Sequence, residues 1–151
     1  MSKTDNKVAL VTGGGTGIGR SSALALQKDN YNVIICGRRE DLLMETVELG
    51  LIEKPVIYPV VTDIAESKSV ASLFKAVKLK YGRLDVLFNN AGMGAPRVPF
   101  DKLGETDWRR CVDVNLTGTF LCSQEAFKIM KEQKPQGGRI INNGSVSAQA
   151  P

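Results

Sequence analysis

The sequence has no histidine, only three cysteines, and aromatic residues at just 6% of its 151 positions. Without histidine the chain by itself holds no Ser-His or Cys-His nucleophilic pair and no imidazole-ligated metal centre. Cys36, Cys111 and Cys122 stand apart with no Cys-x-x-Cys pair, so neither a zinc site nor a disulfide framework is indicated, and each reads as a core or helix-face residue. No metal site is expected. No run approaches the roughly 18 consecutive apolar residues that a membrane span requires. Met1 to Lys7 is polar, with no apolar region behind it, and the expectation is a cytoplasmic protein with no membrane association. The net charge of +4 is spread along the chain. Its nearest approaches to a basic block are Arg38-Arg39 and Arg109-Arg110, which argues against a nucleic-acid partner.

What remains is ordinary: 42% apolar and 24% charged residues over a length suited to one core. A single domain over residues 1–151 is expected. Short apolar runs recur at Val8 to Val11, Val33 to Cys36, Val56 to Val61, Leu84 to Phe88 and Arg139 to Ile141. Runs without polar alternation are the pattern of strands buried on both faces, and so of a mainly parallel sheet. Helical spacing lies between them. Val70, Leu73, Phe74, Val77 and Tyr81 form one apolar face, ending at Gly82; Leu116, Phe120, Phe127 and Met130 form a second stripe, reaching about Lys134. Alternating strands and helices with right-handed crossovers predict an α/β, doubly wound parallel sheet with helices on both faces. Ligands of such sheets bind beyond the carboxyl ends of the strands.

Thr12-Gly13-Gly14-Gly15-Thr16-Gly17-Ile18-Gly19 stands at one such end, directly after the first strand and opening a helix. Glycines there permit a tight turn and bring backbone amides close to a pyrophosphate, which the positive end of the helix favours. The spacing is Gly-x3-Gly-x-Gly, and a bare glycine cluster also suits a plain flexible turn. The second strand ends in Cys36-Gly37-Arg38-Arg39, with no carboxylate before Glu40. A carboxylate at this place binds a ribose 2′-hydroxyl, whereas an arginine binds a 2′-phosphate, so NADP is favoured over NAD. Arg38 also suits a solvated helix start.

Together with Asp63, Asn89-Asn90-Ala91-Gly92, Val114-Asn115-Leu116-Thr117-Gly118 and Gly144-Ser145-Val146-Ser147, the glycine turn resembles the short-chain dehydrogenase/reductase family along essentially the whole chain. The resemblance implies a Rossmann-type sheet of strand order 3-2-1-4-5. It implies an NAD(P)-dependent oxidoreductase exchanging a hydride between nicotinamide and a small-molecule carbonyl or secondary alcohol. The candidate cofactor contacts are Gly13, Thr16, Gly17, Ile18, Gly19, Arg38, Asp63, Asn90, Ala91 and Gly92. Asp63 would accept from the adenine amino group, although it also suits a helix cap. Asn90 would lie nearest the adenosine ribose, although Asn and Gly also suit a simple strand-to-loop turn. Asn115 would interrupt its helix and support a proton relay, against the alternative of a solvated mid-helix residue. Ser145 would polarise the substrate oxygen, with Ser147 as its competitor.

The family's Tyr-x-x-x-Lys pair would fall several residues past Pro151. Tyr31, Tyr58 and Tyr81 do not replace it; Tyr31 precedes the second strand, Tyr58 lies inside the third, Tyr81 ends an exposed helix, and all three read as packing aromatics. The expectation is therefore a C-terminally truncated chain, its last strands missing and its catalytic Tyr and Lys absent. The full-length form would be a homo-oligomer, associating through the long helix from Asp107 to Lys134. Two rival expectations stand beside this one: a catalytically silent nucleotide-binding or dimerisation module, and an incomplete sequence with no stable fold.

Overall fold

Val8–Thr12 is buried at all five positions, as a strand covered on both faces must be. It forms β1, the centre of a five-stranded sheet completed by β2 (Asn32–Gly37), β3 (Ile57–Val61), β4 (Val86–Asn89) and β5 (Arg139–Asn142). Every pairing is parallel and the order is β3-β2-β1-β4-β5, the Rossmann-type order expected. The structure is a computed structural model describing residues 7–51 and 55–148. Thr12 lies opposite Cys36, and Asn89 opposite Asn142, so the carboxyl ends finish along one rim.

Five helices cover the sheet: α1 (Gly17–Lys28), α2 (Glu40–Glu48), α3 (Ser67–Tyr81), α4 (Glu105–Val112) and α5 (Thr119–Glu132). Side chains alternate across a strand, and each face has its own core. On one face Val11, Val33, Ile35 and Ile57 pack with Ala23 of α1 and Leu43 of α2. On the other Val8, Leu10, Ile34 and Leu87 pack with Leu73 and Phe74 of α3 and with Cys122, Ala126 and Ile129 of α5. Burial pushes the Cys122 thiol up to about 12 and raises Cys36 as well, so both are inert packing groups. The α3 helix ends where its spacing predicts, at Gly82, whose φ of 70° is the left-handed conformation of a helix cap.

Three local expectations need correction. β4 begins at Val86 rather than Leu84, because the Leu84 amide and carbonyl bond the Gln133 side chain, at 2.8 and 3.0 Å. Tyr81 does not end an exposed helix: its ring packs on the core and its hydroxyl is buried. The second stripe is divided. Met130 is in the core, whereas Leu116, Phe120 and Phe127 are 68%, 58% and 62% exposed. The core is met instead by Cys122, Ala126 and Ile129 on the other side of α5. Among the described residues no helix is long and apolar enough to cross a membrane, and no three or more His, Cys, Asp or Glu side chains gather as a metal site would require.

The start of β1 is fixed by Asp85. Its carboxylate accepts from Arg83 at 2.6 and 2.9 Å and from the Val8 amide at 2.9 Å. Partial burial pushes the carboxyl up, but the Arg83 fork, the Val8 amide and the Lys7 charge outweigh it, so its pKa lies below the ordinary value. A depressed carboxyl stabilises the fold above its unfolded pKa and loses that contribution as pH falls through the folded value. Asp85→Asn is therefore expected to lower stability by about 2 kcal/mol at neutral pH. In thermal melts the gap from the parent narrows below about pH 4; a gap that stays constant down to about pH 2 contradicts the ionic origin.

Candidate functional site

The carboxyl ends of the strands border one open cleft of about 990 Å³. Thr12 does not line it; it is buried behind the lining residues, 1% exposed. Thr12 Oγ1 accepts from the backbone amides of Asn90 and Ala91, both at 3.0 Å, and donates to the Phe88 carbonyl at 3.4 Å. One donor and two acceptor sites are all that a hydroxyl has. Asn90 answers from the other side: Nδ2 donates to the Thr12 carbonyl at 3.1 Å, and Oδ1 accepts from Asn143 Nδ2 at 3.0 Å. One residue earlier, at the end of β4, Asn89 Nδ2 donates to Asn142 Oδ1 and Ser123 Oγ. Side-chain amides thus tie the ends of β1, β4 and β5 together.

The glycine turn fits closely into this arrangement. Gly13 has φ +67°, and a Cβ on it would lie 2.9 Å from Ala91 Cα. A Cβ on Gly19 would overlap the Gly13 carbonyl oxygen and lie 2.6 Å from Asn90 Nδ2. Gly13, Thr16, Gly17 and Ile18 line the cleft; Gly19 is buried behind it, where it lets α1 start against the turn. The first helical bond of α1 is Arg20 N to Thr16 O, at 3.1 Å. The amides of Gly17, Ile18 and Gly19 precede it and have no intrahelical acceptor. No acidic residue occupies that first turn, so the helix end favours an anion. From outside, Arg20 Nη2 donates to the Gly15 carbonyl at 2.5 Å and Thr46 Oγ1 to the Gly14 carbonyl at 3.0 Å. These bonds fix the turn against α2.

Arg38 and Arg39, at the end of β2, are exposed on the cleft wall, and their guanidiniums have no hydrogen-bond or ion-pair partner among the described residues. Asp63 stands across from them after β3. Its Oδ1 accepts from the Ala65 amide at 3.0 Å and its Oδ2 from Arg110 Nη2 of α4 at 2.7 Å. It closes its own turn and does not cap α3, whose N-cap is Glu66. Partial burial pushes the Asp63 carboxyl up; the Arg110 hydrogen bond, the Ala65 amide and the charges of Arg110 and Arg38 more than reverse this, so it is held ionised.

Asn115 lies within a π-helical segment, Asp113–Gly118, which joins α4 to α5 without a break. Its side chain leaves the helix to bond both backbone groups of Met93: Oδ1 accepts from the amide at 2.9 Å and Nδ2 donates to the carbonyl at 2.8 Å. This ties the Gly92 to Pro99 loop to the wall of the cleft. Ala91 and Gly92 line the same wall. At the end of β5, Ser145 and Ser147 both reach the cleft, and Ser145 Oγ accepts from the Ser147 amide at 3.2 Å. That bond uses a lone pair and leaves the Ser145 hydrogen free to donate. Of the twelve predicted site residues, all but Gly19 line this one cleft. Three that the sequence did not single out as site residues hold it in shape: Thr12, Arg110 and Asn143.

Replacing the Thr12 hydroxyl tests this frame directly. Thr12→Val leaves two backbone amides without an acceptor and is expected to cost about 2–4 kcal/mol. Thr12→Ser keeps the hydroxyl and costs about 1 kcal/mol for the lost methyl. Hydrogen exchange at Asn90 and Ala91 should accelerate in the valine variant alone; equal acceleration in both would show that packing, not hydrogen bonding, sets the loop.

The sequence model of the short chain dehydrogenase family matches residues 7–151. A 3beta-hydroxysteroid dehydrogenase of Mediterraneibacter gnavus is 34% identical over 154 residues, covering 97% of this chain and 52% of that protein. A metagenomic short-chain oxidoreductase, solved in complex with NADP, superposes with a TM-score of 0.91 at 27% identity, covering 99% of this chain and 67% of that one. NAD+-bound xylitol dehydrogenase superposes equally well, with a TM-score of 0.91 at 27% identity, over 99% of this chain and 57% of its own. The chain spans a little over half the length of the curated relatives it matches. The parallel sheet, its order and the match from Lys7 to Pro151 together place the chain in the short-chain dehydrogenase/reductase family.

Proposed function

We propose that the chain forms the dinucleotide-binding part of an NAD(P)-dependent oxidoreductase acting on a small carbonyl or secondary alcohol. The observation that carries this reading is convergence: the α1 amino end, Arg38, Asp63, the Asn90 to Gly92 loop and Ser145 all face one cleft. The glycine cradle, which a Cβ at Gly13 or Gly19 would fill, fits the close approach of a diphosphate to backbone. Bound nicotinamide supplies or accepts the hydride. The residues then divide the remaining work. The amides of Gly17 and Ile18 bind the diphosphate, Asp63 accepts from adenine, and Asn90, with Ala91 and Gly92 beside it, holds the adenosine ribose. Ser145 donates its free hydrogen to the substrate oxygen, and Asn115, which holds the Met93 backbone at the cleft wall, supports the proton relay. Three free thiols, two of them buried, accord with a cytoplasmic setting.

NADP is the preferred dinucleotide in this reading, because two unpaired guanidiniums and no carboxylate stand at the end of β2. Titration with NADPH and NADH should show the phosphorylated form binding more tightly. Arg38→Ala should weaken NADPH about tenfold while leaving NADH unchanged. Ser145→Ala should leave both affinities unchanged, and a loss of dinucleotide affinity would contradict its assignment to the substrate oxygen. No saturable binding of either dinucleotide, or tighter NADH, overturns the assignment.

A homo-oligomer belongs to the same proposal. Leu116, Phe120 and Phe127 form an exposed apolar row along the α4–α5 helix, and a second copy would cover it. Sedimentation should find a dimer that Phe120→Glu or Phe127→Glu dissociates; a monomeric parent contradicts this.

A further inference from the structure

We propose that Arg110 is a positioning residue for base recognition: from α4 it sets the Asp63 carboxylate so that the cleft selects a 6-amino purine. This rests on the reading of Asp63 as the adenine acceptor. Arg110 is not itself part of the cleft wall, whereas Asp63 is. Asp63 follows β3 in a loop, where a carboxylate left alone turns freely. Here each oxygen has an assigned neighbour: Oδ1 the Ala65 amide at 3.0 Å, Oδ2 the Arg110 guanidinium at 2.7 Å. The Asp63 amide is fixed as well, donating to Ser69 Oγ at 3.1 Å. Each carboxylate oxygen has two lone-pair directions, so both keep one for a donor in the cleft.

The two side chains are 33% and 27% exposed. An ion pair this open to water adds little to stability. Its consequence lies in orientation. An ionised carboxylate only accepts hydrogen bonds, so it suits the 6-amino group of adenine and repels the 6-carbonyl oxygen of hypoxanthine. The charges of Arg110 and Arg38 act favourably on the Asp63 carboxylate, and those of Asp63, Glu66 and Asp113 on the Arg110 guanidinium.

The test compares the affinity of the chain for two reduced dinucleotides, NADPH and its hypoxanthine analogue, read by nicotinamide fluorescence. The parent should favour the adenine form about tenfold. Arg110→Met should cut that ratio below about threefold with little change in melting temperature. Arg110→Lys, which keeps a cation within reach of the carboxylate, should restore most of it. A general folding defect lowers both affinities together and leaves the ratio unchanged, and an unchanged ratio in Arg110→Met overturns the proposal. Asp63→Ala separates the two readings. If it abolishes the ratio while Arg110→Met does not, Asp63 reads the base without Arg110. If it leaves the ratio intact, the adenine reading itself is wrong.

Discussion

Two chain segments, the turn after β1 and the loop after β4, approach each other to backbone contact, and the shape of the cleft follows from that approach. Gly13 and Gly19 have no side chain to hold the segments apart, and the Thr12 hydroxyl supplies the acceptor that the Asn90 and Ala91 amides would otherwise lack. A buried amide without an acceptor is expensive, so the loop has one low-energy position. From that position Asn90 meets Asn143, and the end of β5, with Ser145 just beyond it, is carried into the same frame. Arg20 of α1 and Thr46 of α2 apply the corresponding constraint on the outer side of the turn.

Charge is distributed over this frame with one sign dominant. The amino end of α1 carries no acid, Arg38 and Arg39 are unpaired among the described residues, and the Asp63 carboxylate is paired with Arg110. A ligand with a doubly charged bridge and a further phosphate at one end is complementary to that arrangement. The helix from α4 through the π-helical segment to α5 serves two purposes. Its inner face supplies Cys122, Ala126 and Ile129 to the core, and its outer face shows Leu116, Phe120 and Phe127 to solvent. The wider π turn releases Asn115 from its own helix to hold the backbone of Met93.

Much of the fold is legible in the sequence because a strand covered on both faces leaves an uninterrupted apolar run, as at Val8 to Val11 and Val33 to Cys36. Gly82 is equally legible, since a left-handed cap has a strong residue preference. Boundaries fail where long-range side chains replace the ladder: Leu84 looks like strand, yet its backbone bonds Gln133, 49 residues away. Spacing alone does not say which face of α5 is inside, because apolar residues occupy both. The candidate site shows the same division. Glycines and asparagines at strand ends announce the cleft, but the ties between Asp63 and Arg110 and between Asn90 and Asn143 join residues 47 and 53 positions apart. No local pattern encodes such pairs.

The central claim is that the free amides at the start of α1 face the diphosphate of a dinucleotide. The most direct measurement is an amide-resolved NMR titration of the labelled chain with ADP-ribose, which carries the diphosphate and adenosine but no nicotinamide. The account predicts saturable shifts, largest at Thr16, Gly17 and Ile18, with a second group at Asp63 and from Asn90 to Gly92. Shifts confined to other surfaces, or a folded chain whose glycine-turn amides do not respond, would contradict it.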